Sequence, residues 1–372
     1  MKHERVKLAV TMPAHNEEPT IARVVAGVPR DIPGIDEVEV FVINDGSTDR
    51  TAELAEAEGA TVVTVTGRPG LGSIFRIGMD RAMRSGANYM VNIDSDGQFD
   101  PNDIRKLVAP LLDDEADFVT CSRFATPEVI PDMPGVKLWG NRGMCKIINY
   151  ICGGTGFTDV SCGFRAFNRE AAYRMTLFGR FTYTQECFID LYNKGCRIAE
   201  VPIKIRGTRE FGESRVAKNV FRYGVNASEV ILRAARDIRP LRFFGGLALT
   251  LLVPGLLGAL FVAIWYAFAG RTSPWTSLIG ISGTLLTLSL VFGAIALIAD
   301  MLSRHRRISE ELLYLTRKRV YANARTMKAA HVDDDMIGPV SLHDIPHEQR
   351  QPIMRELADS VSDRVVERMA QQ

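Results

Sequence analysis

Asp94-Ser95-Asp96-Gly97-Gln98 follows directly on the apolar run from Tyr89 to Ile93, setting two carboxylates and an amide oxygen at the end of an extended segment. In an extended chain residues i and i+2 point to the same side, so Asp94 and Asp96 can share one ligand if that geometry persists past Ile93. Gly97 lets the chain turn, and Gln98 can add a neutral oxygen. Hard divalent cations such as Mg²⁺ take oxygen ligands and are often held by one or two carboxylates, with substrate phosphates completing the shell. The same residues also make an ordinary acidic turn, because Asp and Gly cluster in turns whether or not a ligand is present.

Two further polar clusters have a chemical and a plain reading. In Pro13-Ala14-His15-Asn16-Glu17, backbone groups can meet a planar base while Glu17 points towards a ribose or a cation. The segment also fits a helix entry with a polar cap and an acidic first turn. Asp45, in Asn44-Asp45-Gly46-Ser47-Thr48-Asp49, can accept hydrogen bonds from a base or ribose, or serve in capping. Gly67-Arg68-Pro69-Gly70-Leu71-Gly72 is a glycine-rich turn that matches neither the Rossmann G-x-G-x-x-G nor the P-loop lysine motif.

The elements that must carry these clusters alternate. Val6 to Met12, Val38 to Ile43, Thr61 to Val65, Tyr89 to Ile93 and Asp117 to Cys121 are short β-rich runs. Between them, Ile21, Val24, Val25 and Val28 recur at helical spacing, and helices are expected over Ala52 to Ala57 and Ser73 to Met83. Repeated β-α units imply an α/β fold with a mostly parallel sheet, whose ligands gather at the carboxyl ends of the strands. The polar clusters follow the first, second and fourth strands, at those ends.

The chain of 372 residues carries 45 basic and 44 acidic side chains, a balance that gives no argument for nucleic acid. Its six cysteines form no C-x-x-C pair, which speaks for reduced thiols in a cytosolic domain. Met1 to Leu8 is charged and has no apolar signal core. Phe243 to Ala269 and Ser277 to Ala299 contain no charged residue, and each exceeds the roughly 20 residues that cross hydrocarbon as a helix. They read as a transmembrane hairpin. Arg233, Arg236, Arg239 and Arg242 precede it and Arg304, Arg306 and Arg307 follow, whereas the connector holds only Arg271. The positive-inside bias therefore puts the large flanks and both termini in the cytoplasm. Val216 to Pro240 has the three- and four-residue apolar spacing of a membrane-surface helix, and Ile308 to Ala330 reads as a basic helix. The expected organisation is a catalytic domain over 1–215, a juxtamembrane segment over 216–242, the hairpin over 243–303 and a helical tail over 304–372.

The ordered motifs P-A-x-N-E-E at 13–18, D-G-S-T-D at 45–49, D-S-D-G-Q at 94–98, T-D-V-S-C-G-F-R-A-F at 158–167, Gln185-Glu186 and Arg209-Glu-Phe-Gly-Glu-Ser-Arg215 form a set. The set resembles a family 2 glycosyltransferase of the GT-A fold, of the kind that makes polyprenyl-phosphate hexoses. Asn44 stands where an Asp often precedes D-G-S, and Arg215 stands where Lys is common.

The resemblance implies a nucleoside pocket lined by Pro13, Ala14, Glu17 and Asp45, with Asp94 near the ribose or diphosphate. Asp96 and Gln98, with Asp94 as a further candidate, would ligate Mg²⁺ or Mn²⁺, and Arg209 and Arg215 would contact phosphate. The donor would be GDP-mannose or a UDP-hexose, the acceptor a polyprenyl or dolichyl phosphate in the membrane, and a homo-oligomer is compatible with this. Arg123 and Arg142 are candidates for clamping the lipid phosphate, because a planar guanidinium can donate two hydrogen bonds to phosphate oxygens. Surface ion pairs are the plainer role for both. Asp159, Arg165 and Glu186 fall on the acceptor side; Asp159 and Arg165 could instead form an ion pair, and Arg165 is expected to be structural. A phosphate monoester, with a second pKa of about 6, is already ionised and needs no strong base. Ser161, Cys162 and Cys187 offer no nucleophile–base motif, so direct displacement with inversion is expected. A processive polysaccharide synthase would want a Q-x-x-R-W motif and more spans, and neither is present in the sequence. A non-catalytic, membrane-tethered nucleotide-sugar binding protein is the other alternative.

Overall fold

The computed structural model describes residues 5–67, 70–131, 133, 135–177, 183–206, 236 and 240–328. Seven strands form one sheet: β1 (Lys7–Ala14), β2 (Glu37–Asn44), β3 (Thr61–Thr64), β4 (Tyr89–Asn92), β5 (Phe118–Ser122), β6 (Arg165–Asn168) and β7 (Ile198–Pro202). Their order is β3-β2-β1-β4-β6-β5-β7, the mostly parallel sheet that the repeated β-α units imply. Every pairing is parallel except those of β6, which runs against both β4 and β5. Helices α1 (Ile21–Ala26), α2 (Thr51–Ala57), α3 (Leu71–Arg84), α4 (Ile104–Leu112), α5 (Gly135–Ile151), α6 (Arg169–Arg174) and α7 (Thr184–Asn193) accompany the sheet. Because helices cover both faces, β1 is apolar on both: Ala9 packs in one core cluster and Leu8, Val10 and Met12 in the other.

The strands expected from the sequence are present within a residue or two, with one correction that matters. β1 extends through Pro13 and Ala14, which pair with Ile43 and Asn44 and so belong to the strand rather than to the loop after it. Proline is tolerated there because the β1–β4 ladder ends at this point, Ile93 N donating to the Thr11 carbonyl at 3.0 Å as its last bond. The Pro13 carbonyl instead accepts from Ser95 Oγ at 2.7 Å.

After the sheet come two long helices, α8 (Pro240–Ala269) and α9 (Thr276–Lys328). Both are long and apolar enough to cross a membrane, and only 11% of each apolar window is buried within the protein. Pro254 sits inside α8 without ending it. The pair packs through small residues: a Cβ on Gly258 would lie 2.3 Å from Ser282 Oγ, and Ser289 Oγ donates to the Ala248 carbonyl at 2.9 Å. The division expected at residue 303 falls inside α9, which continues unbroken to 328. Arg209, Arg215 and the expected surface helix over 216–240, apart from residues 236 and 240, lie outside the described residues.

Candidate active site

The carboxyl ends of β1, β2 and β4 open onto three loops that bond to one another. Asn16 takes a left-handed backbone (φ 54°), which asparagine tolerates, and its Oδ1 accepts from Thr48 N at 2.8 Å. In return Ser47 Oγ accepts from Asn16 N, Thr51 Oγ1 from Glu17 N and Asp49 Oδ2 from Glu18 N. Asp49 is occupied within the loops, accepting also from Thr51 N at 3.1 Å, although α2 has Arg50 at its N-cap and no side-chain cap bond. Burial alone would raise its carboxyl, but hydrogen bonds from Thr51 and from the Glu18 N–H outweigh that and hold it below the ordinary value. Asn44 is buried in the turn, accepting from Ser47 N at 2.9 Å and donating to Thr64 Oγ1 at 3.3 Å.

Asp45 has no such role. Its backbone N–H donates to the Ala14 carbonyl at 2.8 Å, and its carbonyl meets His15 Nδ1, which fixes the backbone. Its Oδ1 is buried with no hydrogen-bond partner among the described residues. A buried unpaired carboxylate oxygen is costly, and a ligand N–H or hydroxyl would satisfy it.

Thr20 Oγ1 donates to the Ser95 carbonyl at 2.8 Å, tying the start of α1 to the loop after β4. Asp96 is buried (4% exposed), and its Oδ1 accepts from Gln98 N at 3.0 Å, closing the turn at Gly97, whose φ is +73°. Gln98 Nε2 donates to the Arg206 carbonyl at 3.3 Å, which leaves Oε1 as the atom this amide can offer a cation. The Arg206 N–H returns a bond to the Gln98 carbonyl at 3.1 Å, so the chain leaving β7 closes over this loop.

Asp94 is placed by residues distant in sequence. Because β6 is antiparallel to β4, Asn92 pairs with Arg165, and the loop before β6 enters the site at its open edge. Gly163 in that loop lies against Asp94 so closely that a Cβ there would stand 3.0 Å from Oδ2 and 3.1 Å from Oδ1. Asn92 Nδ2 holds the loop by donating to the Gly163 carbonyl at 3.0 Å, and it also contacts Tyr183 Oη at 2.9 Å. Tyr183 stacks on Phe75 (3.9 Å between centroids); burial first, then the Asp94 charge, pushes its hydroxyl well above the ordinary value.

These side chains suit a hard cation. Asp94, Asp96 and Gln98 supply only oxygen donors, the chemistry that Mg²⁺ and Mn²⁺ favour. Among the described residues no group of three or more His, Cys, Asp or Glu is placed to hold a metal. One or two carboxylates with a neutral oxygen make a partial shell that a bound diphosphate would complete.

On the other side, Asp159 is fully buried and pairs with Arg123, not with Arg165. Arg123 Nε and Nη2 meet its two oxygens at 2.5 and 2.9 Å, and Arg123 N donates to Oδ2 at 3.2 Å. Two of the three guanidinium nitrogens expected to clamp phosphate are therefore engaged in this pair. Arg165 is fully buried, donates to the carbonyls of Cys162, Thr184 and Val160, and lies among the rings of Phe118, Tyr183 and Phe188. The Asp159 loop is pinned from below by Glu200, which accepts from Thr158 N at 2.8 Å and Asp159 N at 2.9 Å. Arg142 is exposed on α5, next to Asn141, whose Nδ2 donates to the Thr158 carbonyl at 3.5 Å. Glu186 lies half-buried in the first turn of α7, beside Gln185, which donates to Ser161 Oγ at 3.3 Å. Cys187 is buried and its thiol is pushed up to about 12, so it stays protonated and is no nucleophile.

Sequence reading missed Asn92, Gly163 and Tyr183. Gly163 stands inside a quoted motif, and its closeness to Asp94 depends on the reversed β6.

Known proteins share this chain's pattern. The model for glycosyl transferase family 2 matches residues 9–176. Glycosyltransferase AglJ of Haloferax volcanii is 30% identical over 305 residues, covering 80% of this chain and 95% of that protein. The UDP-N-acetylglucosamine–dolichyl-phosphate N-acetylglucosaminyltransferase of Methanococcus voltae is 30% identical over 213 residues, 52% of this chain and 83% of its own. Polyprenol monophosphomannose synthase of Mycolicibacterium smegmatis is 28% identical over 237 residues, 61% of this chain and 84% of its own. A relative this similar along nearly its whole length, together with the family match over the sheet and its loops, shows that the chain belongs to glycosyl transferase family 2 and is a glycosyltransferase.

Proposed function

We propose that this enzyme moves one hexose from a nucleoside diphosphate sugar to a polyprenyl phosphate, with inversion, at the cytoplasmic face of a membrane that α8 and α9 cross. The observation that supports the donor half is that Asp45, with a buried Oδ1 that has no partner among the described residues, follows β2, and Asp94, Asp96 and Gln98 follow β4, at the same carboxyl edge of the sheet. Asp45 would bind the base or ribose, with Pro13, Ala14 and Glu17 shaping the pocket, and Asp94 would face the ribose or diphosphate. Asp96, Gln98 and Asp94 would hold Mg²⁺ or Mn²⁺. When bound, such a cation offsets the charge that builds on the departing diphosphate. Arg209 and Arg215 would add positive charge beside phosphate.

Two relatives, from Methanococcus voltae and Mycolicibacterium smegmatis, are named for transfer to dolichyl phosphate and for polyprenol monophosphomannose synthesis, which supports a lipid phosphate as acceptor. Two helices able to cross a bilayer support the same choice. Arg142, exposed on α5, and Arg123, oriented by Asp159, would meet the acceptor phosphate. Its oxygen is already ionised at neutral pH, so alignment with the anomeric carbon does the work that a general base does for a sugar hydroxyl. GDP-mannose, UDP-glucose and UDP-N-acetylglucosamine offered separately with polyprenyl phosphate, followed by mass analysis of the lipid, test the reading. A lipid-linked monosaccharide supports it; a growing polysaccharide, or no lipid product from any donor, refutes it.

A further inference from the structure

The apolar stretch of α9 ends near Asp300, but the helix runs on, and one face of the extension lies against the catalytic domain. Glu310, Tyr314, Arg317 and Tyr321, at alternating four- and three-residue steps, make that contact. Tyr314 Oη donates to Glu170 Oε1 at 2.7 Å under the Arg174 guanidinium, 4.4 Å from the ring centroid. Arg317 Nη1 donates to the carbonyls of Tyr173, at 3.2 Å, and Met175, at 2.5 Å. Tyr321 stacks on Tyr173 and donates to Asp80 Oδ1 at 2.6 Å. Glu310 stands 3.7 Å from Lys194. Both tyrosines are 8% exposed, in the same apolar cluster as Phe75 and Met79 of α3. The helix thus grips α3, α6 and the end of α7; α6 follows directly on β6, whose preceding loop sets Gly163 under Asp94.

Between membrane stretch and grip, residues 304–309 are exposed all round. The helix holds through that gap by side-chain pairs one turn apart, Asp300 with Arg304 at 2.6 Å and Arg306 with Glu310 at 2.7 Å. From Asp300 to Tyr321 the rise is roughly 30 Å of uninterrupted helix.

We propose that this extension is a rigid arm that fixes the height and tilt of the catalytic edge over the bilayer, making Tyr314, Arg317 and Tyr321 positioning residues for an acceptor embedded in lipid. The proposal rests on the lipid-phosphate reading above. A headgroup confined to the membrane plane meets the site at high effective concentration only if the site is held at the right depth, whereas a freely diffusing acceptor needs no such alignment.

The test compares a long-chain polyprenyl phosphate in vesicles with a short, water-soluble isoprenyl phosphate in detergent, using one nucleotide sugar. Two variants are used: Arg317→Ala with Tyr321→Phe, and a Gly-Gly-Ser insertion after Arg306 that leaves the gripping face intact but breaks the arm. In both, kcat/KM for the vesicle acceptor should fall about tenfold or more, while the soluble acceptor and the donor KM are unchanged. Wild-type vesicle activity in the insertion variant, or an equal loss with both acceptors, overturns the arm. Failure of the wild type itself to use either isoprenyl phosphate would refute the acceptor reading and this proposal with it.

Discussion

Asp45 and Asp94 show how differently two carboxylates in one site are held. Asp45 presents a buried oxygen with no partner among the described residues, so its removal should cost binding and not folding. Asp45→Ala should weaken nucleoside diphosphate binding by about 2 kcal/mol, roughly thirtyfold in Kd, with the thermal midpoint unchanged or raised; calorimetric titration beside a melting curve reads both. Asp94 depends on Gly163. Gly163→Ala inserts a methyl 3.0 Å from its carboxylate, and transfer should drop by about a hundredfold while the fold is retained, because small misplacements at a reacting centre are expensive. Steady-state rates with circular dichroism check it. The acidic residues were legible because the motif is contiguous; the glycine's role was not, because it arises from a strand pairing that joins residues distant in the chain.

At the scale of elements, the five strands read from the sequence carry β-branched runs between turn signals, and each is present. β6 and β7 were not read. Arg-Ala-Phe-Asn carries an arginine at its first position, and only its place between β4 and β5, with Arg165 bonded to three carbonyls, makes it a buried strand. α7 carries a titratable group of the same kind. Burial pushes the Asp190 carboxyl up to about 6, against the Lys194 ammonium 2.8 Å away. A raised folded value means that folding takes up a proton there, so this residue's contribution to stability is present in acid and is lost as pH rises towards 6. The stability of the wild type minus that of Asp190→Asn should therefore be greater at pH 4 than at pH 7 in chemical denaturation. A difference that grows with pH would contradict the assignment.

Over the whole molecule, the sheet edge, the two helices long and apolar enough to cross a membrane and the docked part of α9 fit the proposal of a glycosyltransferase that works at a membrane surface. The hairpin was legible because charge-free runs of that length are rare; the docking of α9 was not, because its gripping residues are polar and aromatic and read as an ordinary basic helix. On this proposal Asp94 to Gln98 forms the diphosphate and metal site of transfer to a lipid phosphate. The most direct measurement is the rate at which purified wild type and Asp96→Ala, in vesicles containing polyprenyl phosphate, move labelled hexose into the lipid fraction with and without EDTA. Wild-type transfer should be abolished by EDTA, and Asp96→Ala, inserted in the membrane to the same extent, should transfer none. Transfer by Asp96→Ala at the wild-type rate, or undiminished transfer in excess EDTA, would contradict the proposal.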